Sequence, residues 1–335
     1  MKAAIYRESG KPFVLETVPD PVPGPGEAII KVCRCGICGS DIHMTSGTPF
    51  DFPTGLVLGH EYAGEVVDVG AGVKTLKVGD RVTAVPRLGC GNCPGCDKGL
   101  VFYCVTARAM RGGFGEYTPI AERSATILPE SLTFTDGALV EPLACGARAV
   151  QHSGAGPGTR ALVIGAGAMG LGVTWWSRML GVEDIVVSAS SERRRQLALD
   201  MGASDFLVAG EDLQARAMES LGGPVDLVFE CAGADSTFAQ AIGLVKQGGT
   251  VVVLGACTHN IQFMPVIALG KEVRIQYSLA YTESDFQRTV EALASGAVEP
   301  RAMVQDTISL DALPARLEAM RRPHAQCKVM VDPWL

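Results

Sequence analysis

A glycine-rich turn between an apolar strand and a helix constrains the fold of this chain more than any other stretch. The run ALVIG ends at Gly165 and enters the sequence GAGAMG, after which a helical pattern continues to Leu180. In a dinucleotide-binding βαβ unit, such glycines keep side chains away from the pyrophosphate, which faces the helix N-terminus. The strand before and the helix after therefore predict a Rossmann domain. The residues predicted to bind the cofactor at this turn are Gly165, Gly167, Ala168, Met169 and Gly170.

Strands and helices continue to alternate after this turn. Further strand-like runs read DIVVSAS, DFLVA, VDLVFE, TVVVLG and EVRIQYS, each separated from the next by a helical stretch. This alternation is typical of a doubly wound parallel sheet, here of about six strands. We therefore expect an α/β dinucleotide-binding domain over residues 151–285.

The loop after the second strand bears on the choice of cofactor. An acidic residue there would accept a hydrogen bond from the ribose 2′-hydroxyl of NAD, but the position falls on Ala189. Ser190, Ser191 and Arg194 follow, within a run of three arginines. Hydroxyl groups and a guanidinium suit a 2′-phosphate, so the sequence favours NADP over NAD. The structural alternative is a solvated arginine patch on a helix face.

The N-terminal part of the chain has a different pattern. Short β-branched runs (AIIKV, EVVDV, RVTAV) are separated by Gly, Pro and Asp, which predicts a compact and mostly antiparallel β-domain. A chain of 335 residues exceeds the usual size of one domain. We place this β-rich domain at residues 1–150 and expect residues 286–335 to return and pack on it.

Candidate ligands of a catalytic metal lie in the β-rich part. Cys38, His60 and Glu61 offer a thiolate, an imidazole and a carboxylate, a combination that suits Zn²⁺. Three protein ligands leave one coordination position open, as a catalytic zinc requires. Ser40 and His43 are close enough in sequence to take part in proton transfer. The alternative is a buried cysteine beside a surface His-Glu pair.

A second candidate metal site has the spacing C-x2-C-x2-C-x7-C. Four thiolates on one tight loop make a closed tetrahedral site, which is typical of structural zinc. An iron-sulfur cluster uses related spacings, but nothing else in the sequence indicates electron transfer. The four predicted ligands are Cys90, Cys93, Cys96 and Cys104.

Glu141 precedes Pro142 in the run LVEPLACGARAV, which starts at Leu139. Because proline is favoured in the first turn of a helix, the run predicts a helix that begins here. Glu141 would then be a carboxylate at a helix N-terminus, with a purely structural role.

Composition excludes several classes of function. The net charge of −7 argues against nucleic acid as a partner. No apolar run is long enough to cross a bilayer, and the first ten residues carry charges where a signal peptide is apolar. We therefore expect a cytoplasmic protein with no membrane partner, in which the eleven cysteines are metal ligands or core residues.

Taken together, GICGSDIH (36–43), GHE, the four-cysteine loop, EPLA and GAGAMG resemble the zinc-dependent medium-chain dehydrogenases. The resemblance extends over essentially the whole chain and is nearest to the sorbitol (polyol) and threonine dehydrogenase branch. It implies a GroES-like β-rich catalytic domain that carries two zinc ions, with a Rossmann domain inserted before a C-terminal return. It also implies a homo-oligomer, either a dimer or a tetramer.

The resemblance further implies an activity and the roles of several residues. The activity is hydride transfer between NADP(H) and a secondary alcohol or its ketone. Glu141 would be a further zinc ligand or would hold a water at the metal, and Asp41 would orient His60. Ser40 and His43 would relay the proton.

Two departures from the polyol-binding pattern affect the predicted substrate. Met44 stands where relatives have tyrosine, and Ala280-Tyr281 replaces an Arg-Tyr pair. Both changes remove polar groups, so we expect a substrate less polar than a polyol. The alternatives are an NAD-dependent polyol or threonine-like dehydrogenase and, in a different class, a zinc-binding regulatory or interaction protein. A zinc-free quinone reductase is disfavoured, because that branch lacks the cysteine and histidine ligands.

Overall fold

A computed structural model describes residues 1–47, 52–322 and 324–335. The chain divides into two compact units. Unit 1 comprises Met1–Glu141 together with Tyr281–Leu335, and unit 2 comprises Pro142–Ala280. The first boundary lies at residue 141, whereas the sequence placed it at residue 150.

Unit 1 is built mainly from strands. Its N-terminal strands are β1 (Lys2–Tyr6), β2 (Val14–Thr17), β3 (Glu27–Gly36), β4 (Leu56–Val57), β5 (Glu61–Val69), β6 (Arg81–Ala84), β7 (Arg87–Leu88), β8 (Arg108–Ala109), β9 (Tyr117–Ala121) and β10 (Ala125–Ile127). The helices of this part are α1 (Gly39–His43), α2 (Pro94–Asp97) and α3 (Phe134–Ser153), the last of which continues into unit 2.

The largest sheet of unit 1 has the order β10-β6-β5-β3, with β9 also paired to β3. These pairings are antiparallel, as the sequence predicted. Along β3, the alternate residues Ala28, Ile30 and Val32 all join one apolar core. Such alternation places one face of a strand inward.

Unit 2 contains a parallel sheet covered by helices. Its elements are β11 (Ala161–Ile164), α4 (Ala168–Met179), β12 (Ile185–Ala189), α5 (Arg195–Asp200), β13 (Asp205–Val208), α6 (Leu213–Ser220), β14 (Val225–Glu230), α7 (Thr237–Leu244), β15 (Val245–Val253), α8 (Pro265–Lys271) and β16 (Arg274–Tyr277). The strand order is β13-β12-β11-β14-β15-β16, and every pairing is parallel. This confirms the predicted doubly wound sheet.

The segment after unit 2 returns to unit 1. It consists of α9 (Glu283–Ala294), β17 (Val304–Ser309), α10 (Leu313–Met320) and β18 (Lys328–Asp332). Strand β18 pairs with β3 and with β17, so the C-terminus completes the main sheet of unit 1. Residues Tyr281–Leu335 accordingly belong to unit 1.

Helix α3 corrects one prediction. The sequence placed the helix start near Leu139, but the helix begins at Phe134 and contains Pro142 in its interior. The start is fixed by a reciprocal cap, in which the backbone N–H of Thr133 donates to Asp136 and the backbone N–H of Asp136 donates to the Thr133 hydroxyl. Glu141 consequently lies in the body of the helix, and the role of a helix-start carboxylate does not apply to it.

The glycine-rich turn occupies the central position of the parallel sheet. It follows β11, whose neighbours β12 and β14 lie on opposite sides, and this is the switch point at which such sheets bind ligands. Gly165 has a φ of 106°, a conformation that favours glycine. A Cβ at Gly170 would collide with the carbonyl oxygen of Gly165, so the close packing of α4 on β11 also requires glycine.

Over the described parts of the chain, no helix combines the length and the apolar character needed to cross a lipid bilayer.

Candidate functional site

The structure brings the three predicted catalytic ligands together in unit 1. One ligand atom each from Cys38, His60 and Glu61 lies within 4.8 Å of the others. Cys38 caps the N-terminus of α1, while His60 and Glu61 lie at the start of β5. Sulfur, nitrogen and oxygen donors converge at a spacing that one ion can bridge, so the donor set fits Zn²⁺.

Asp41 fixes the orientation of His60. Its buried carboxylate accepts a hydrogen bond from the backbone N–H of Cys38 at 3.1 Å, and its other oxygen lies 3.3 Å from Nδ1 of His60. Burial lowers the pKa of His60, but the charges of Asp41 and Cys38 outweigh it and raise the pKa well above its usual value. Because Nδ1 faces Asp41, Nε2 is left for a metal, as in most metal-binding histidines.

Sequence reasoning missed Lys328, which holds the third ligand. Its Nζ donates to both carboxylate oxygens of Glu61 at 2.7 Å and to the carbonyl of Ile37 at 3.2 Å. The lysine is 2% exposed and Glu61 is fully buried. Burial lowers the pKa of Lys328, yet the charges of Glu61 and Cys38 raise it above the usual value, so the lysine is protonated.

Strand register explains how this pair forms. Gly36 of β3 pairs with Glu61 of β5 on one side and with Met330 of β18 on the other. A Cβ at Gly36 would collide with Oε2 of Glu61. The glycine therefore leaves room for the carboxylate to reach across the strand toward Lys328. In the sequence, Lys328 is only a single lysine at the start of an apolar strand. Its partner Glu61 cannot be predicted without the register of β18 on β3.

Glu141 is buried beside these groups but lies outside the close set of three. Burial raises its pKa to about 7, the charge of His60 lowers it and that of Glu61 raises it. A hydrogen bond with the hydroxyl of Tyr281 also lowers this pKa. The tyrosine is buried and contacts Phe102 with their ring centroids 5.3 Å apart. Glu141 is thus a carboxyl group that can hold or release a proton near neutral pH.

The two predicted proton-relay residues differ in exposure. Ser40 is half-buried, with its Oγ 3.4 Å from Nε2 of His60. His43 lies at the end of α1 and is exposed to solvent. The arrangement places a hydroxyl beside the candidate metal ligands and an imidazole at the surface.

The four-cysteine loop also closes on itself. The Sγ atoms of Cys90, Cys93, Cys96 and Cys104 all lie within 4.8 Å of one another. The backbone N–H of Cys90 donates to Sγ of Cys104 at 3.3 Å, and with further hydrogen bonds from Thr106 it lowers the pKa of Cys104 to about 6. The thiolate form, which binds metal, is thereby favoured at this position.

In unit 2, Arg194 lies over the glycine-rich turn. Its Nη1 donates to the carbonyl of Ala166 at 3.2 Å, and a Cβ built on Gly167 would lie 3.9 Å from the same nitrogen. Ser190 and Ser191 follow the end of β12. All three residues follow the carboxyl end of β12, in the loop to which the sequence assigned a 2′-phosphate.

The neighbouring arginines point elsewhere. Arg195 donates to the carbonyl of Phe206 at 2.8 Å and to Glu192 at 2.9 Å, and its guanidinium lies 5.1 Å from the Phe206 ring centroid. Arg193 is exposed. The run of three therefore supplies one guanidinium to the turn.

A further cluster of ligand-type side chains was missed from the sequence. Asp235, Cys257 and His259 lie within 4.8 Å of one another, on the loops that follow β14 and β15. The aspartate and the histidine are 71% and 73% exposed. The sequence could not predict this cluster, because its two loops are brought together only by the pairing of β14 with β15.

Comparison with known families gives two matches, each to a different range of the chain. Residues 24–130 match the Alcohol dehydrogenase GroES-like domain, and residues 168–295 match the Zinc-binding dehydrogenase family. The chain belongs to the zinc-binding alcohol dehydrogenase family. It is an oxidoreductase of that family, within the medium-chain polyol dehydrogenase branch that the sequence motifs indicated, and it acts on small-molecule alcohols.

Individual relatives in this dehydrogenase family agree with the assignment. The chain is 33% identical to L-galactonate-5-dehydrogenase of Escherichia coli (strain K12), over 85% of each chain. It is 30% identical to sorbitol dehydrogenase of Bacillus subtilis (strain 168), over 99% of this chain and 97% of the relative. A solved structure from Sinorhizobium meliloti 1021, classed as a zinc-binding dehydrogenase and bound to NADP, has a TM-score of 0.91 and 34% identity over 99% of both chains.

Proposed function

We propose that this protein interconverts a secondary alcohol and its ketone with NADP(H), at a zinc ion held by Cys38, His60 and Glu61. The observation that carries the proposal is the convergence of these three ligand atoms within 4.8 Å, beside the buried carboxyl group of Glu141. A closed site would have used four protein ligands, as the cysteine loop does. A second zinc held by Cys90, Cys93, Cys96 and Cys104 is proposed to have a structural role.

The residues around the metal site have distinct tasks in this proposal. Bound zinc would supply Lewis acidity toward the alcohol or ketone oxygen, and the nicotinamide would exchange the hydride. Ser40 accepts the alcohol proton, and His43 passes it to solvent from the exposed end of α1. Asp41 orients the ring of His60, while Lys328 holds the carboxylate of Glu61 in place through two hydrogen bonds. Glu141 is proposed as a further ligand or as the acceptor of a metal-site water.

The choice of NADP rests on unit 2. Ala189 offers no acceptor to a ribose 2′-hydroxyl, whereas Ser190, Ser191 and Arg194 offer donors to a 2′-phosphate. The S. meliloti structure was solved with NADP, which agrees with this choice. One charge-assisted contact with arginine contributes about 1.5–3 kcal/mol, so NADP should be favoured roughly ten- to hundred-fold. A homo-oligomer and a cytoplasmic location remain predictions.

The test is the kcat/KM ratio for the two cofactors, measured on a panel of secondary alcohols with zinc-loaded protein. We expect turnover of at least one secondary alcohol and a higher kcat/KM with NADP⁺. Ala189→Asp should reverse the cofactor preference, because the new carboxylate accepts from the 2′-hydroxyl of NAD and repels a 2′-phosphate. A preference for NAD⁺ in the wild type would overturn the choice of cofactor and favour the NAD-dependent polyol reading. Absence of turnover with either cofactor would overturn the proposed reaction.

A further inference from the structure

Arg111 is a half-buried cation in unit 1 to which the proposed function assigns no role. It lies in the segment between β8 and β9, and its guanidinium carbon is 4.3 Å from the centroid of the Phe52 ring. Stacking on an aromatic ring fixes the plane of a guanidinium and leaves its edges free to donate hydrogen bonds.

One edge of this guanidinium is buried without an acceptor. Among the described residues, none accepts a hydrogen bond from Nη1 of Arg111, although that atom is shielded from solvent. The ion pairs of the described chain do not include Arg111 either. A buried charged donor without a partner is costly, which indicates that a ligand supplies the acceptor.

Arg111 lies beside the candidate metal ligands, because the backbone N–H of the next residue, Gly112, donates at 3.1 Å to the carbonyl of Gly59, which precedes His60. Phe52, on which Arg111 stacks, donates its backbone N–H at 3.3 Å to the carbonyl of Met44, directly after α1. Burial lowers the pKa of Arg111, while the charges of Asp41, Cys38 and Glu141 raise it. These are the groups that surround the metal site, so their charges act directly on the guanidinium. Among the described residues, none of them forms an ion pair with Arg111; Asp41 accepts from the backbone N–H of Cys38, and Glu141 has a hydrogen bond with Tyr281.

A second arginine reinforces the positive character of this region. Arg87 lowers the pKa of Arg111, so the two cations act on each other. Nε of Arg87 is also buried without an acceptor among the described residues, and its guanidinium carbon lies 5.7 Å from the Phe102 ring centroid. Phe102 in turn contacts Tyr281, the partner of Glu141. Two cations that repel each other are favoured together when an anion lies between or beside them.

We propose that Arg111, supported by Arg87, binds the carboxylate of the substrate, so that the substrate is a hydroxy acid. This inference rests on the proposed function and names the substrate class of the same site. A carboxylate matches the planar fork of a guanidinium and accepts two parallel hydrogen bonds from it. This proposal differs from the sequence expectation of a less polar substrate, which counted polar groups only at Met44 and Ala280.

The reaction balances with the carboxylate unchanged. The carbon that bears the secondary hydroxyl loses a hydride to NADP⁺, and the hydroxyl oxygen loses its proton to solvent. The products are an oxo acid, NADPH and a proton. The arginine contact contributes equally to the hydroxy acid and the oxo acid, and it orients the chain of the substrate with its hydroxyl toward the metal site.

The experiment compares matched pairs that differ only in the carboxylate. The probes are D-gluconate against sorbitol and D-galactonate against galactitol, together with 3-hydroxybutyrate against 2-butanol, each tested with zinc-loaded enzyme and both cofactors. We expect the acid of the best pair to have a kcat/KM roughly ten- to hundred-fold above that of its neutral partner. In Arg111→Gln this advantage should disappear, while kcat/KM for the neutral alcohol stays within about three-fold.

Two controls separate recognition from structure. Arg111→Lys keeps the charge without the fork and should retain part of the advantage. Arg7→Gln removes an exposed arginine that pairs with Glu16 and should leave both kcat/KM values unchanged. A wild type that prefers the neutral partners, or an Arg111→Gln variant that loses both activities equally, would overturn the inference and leave the proposed reaction intact.

Failure of the proposed reaction has a different signature. No alcohol of any pair would then be oxidised with either cofactor. In that case calorimetric titration of the zinc-loaded protein with the three acids tests the anion site at Arg111 independently of turnover. Binding of an acid that is lost in Arg111→Gln supports the anion site by itself, and absence of binding to the wild type overturns it.

Discussion

Lys328 and Glu61 form a buried ion pair in which Nζ lies 2.7 Å from each carboxylate oxygen. The pair joins the start of β18 to the start of β5 across Gly36 of β3. It links the last strand of the chain to a candidate metal ligand that lies 267 residues earlier. The C-terminal segment therefore contributes to the candidate metal site as well as to the sheet.

Substitution of Lys328 should show how much the Lys328–Glu61 ion pair contributes to the free energy of unfolding. Lys328→Met leaves a buried carboxylate without a partner, which costs about 3–5 kcal/mol of stability. The double variant Lys328→Met with Glu61→Gln should lose less than the sum of the single variants, because no unpaired charge remains. Urea unfolding of metal-free protein measures the cycle. Additive losses would show that the two residues do not interact.

The two candidate zinc sites should respond differently when one of their cysteine ligands is replaced by serine. Cys38→Ser should lower the zinc content by one per chain and abolish turnover while the fold and NADP binding persist. Cys96→Ser should lower the melting temperature first, because a closed structural site contributes more to folding. Metal analysis and thermal unfolding distinguish them, with Cys33→Ser as the matched control. An unfolded Cys38→Ser variant would mean that the roles of the two metals are exchanged.

Asp136 gives a stability effect with a defined pH range. Burial alone would raise the pKa of Asp136, but hydrogen bonds from Arg301, at 2.7 and 3.0 Å, and from Thr133 outweigh it and lower the pKa. Since the unfolded value is about 4, this stabilisation is complete above pH 4 and is lost as the pH falls through the lower folded value.

Asp136→Asn should therefore destabilise the protein by about 1.5–3 kcal/mol at pH 7. The difference from the wild type should shrink at acidic pH, where the wild-type carboxylate also becomes protonated. Urea midpoints at pH 7 and near pH 3 test both points. A difference that is constant over this range would show that the charge of Asp136 is not the cause.

Arg194 should determine most of the cofactor preference. Arg194→Gln removes the cation beside the glycine-rich turn, so KM for NADP⁺ should rise roughly ten-fold or more while KM for NAD⁺ changes little. Arg195→Gln is the control, because Arg195 is engaged by Phe206 and Glu192. Equal effects of the two substitutions on both cofactors would contradict a specific role for Arg194.

The sequence predicted those parts of the protein in which neighbouring residues carry the signal. The apolar run before GAGAMG identified the parallel sheet, and the cysteine spacing identified the four-thiol loop. Cys38 and the His60-Glu61 pair are separated by a loop, yet their residue types sufficed to suggest a metal. The predicted helix start near Glu141 was wrong, because the helix is capped by Thr133 and Asp136, upstream of Pro142, on which the prediction rested.

Long-range contacts could not be predicted in the same way. Lys328 meets Glu61 only because β18 inserts beside β3, and this register depends on the whole sheet. Arg111 reads as an ordinary residue before a glycine turn, and its relation to Asp41, Cys38 and Glu141 exists only in three dimensions.

We expect oxidation of the alcohol to depend on a metal at Cys38, His60 and Glu61. The most direct measurement strips the metal from the purified protein with a chelator and then follows NADP⁺-dependent turnover of its best alcohol while zinc is returned. Activity should be lost on stripping, rise in proportion to the zinc bound and reach its plateau at two zinc per chain, and it should never return in Cys38→Ser. Full turnover in protein that retains only the metal of the four-cysteine loop would contradict it.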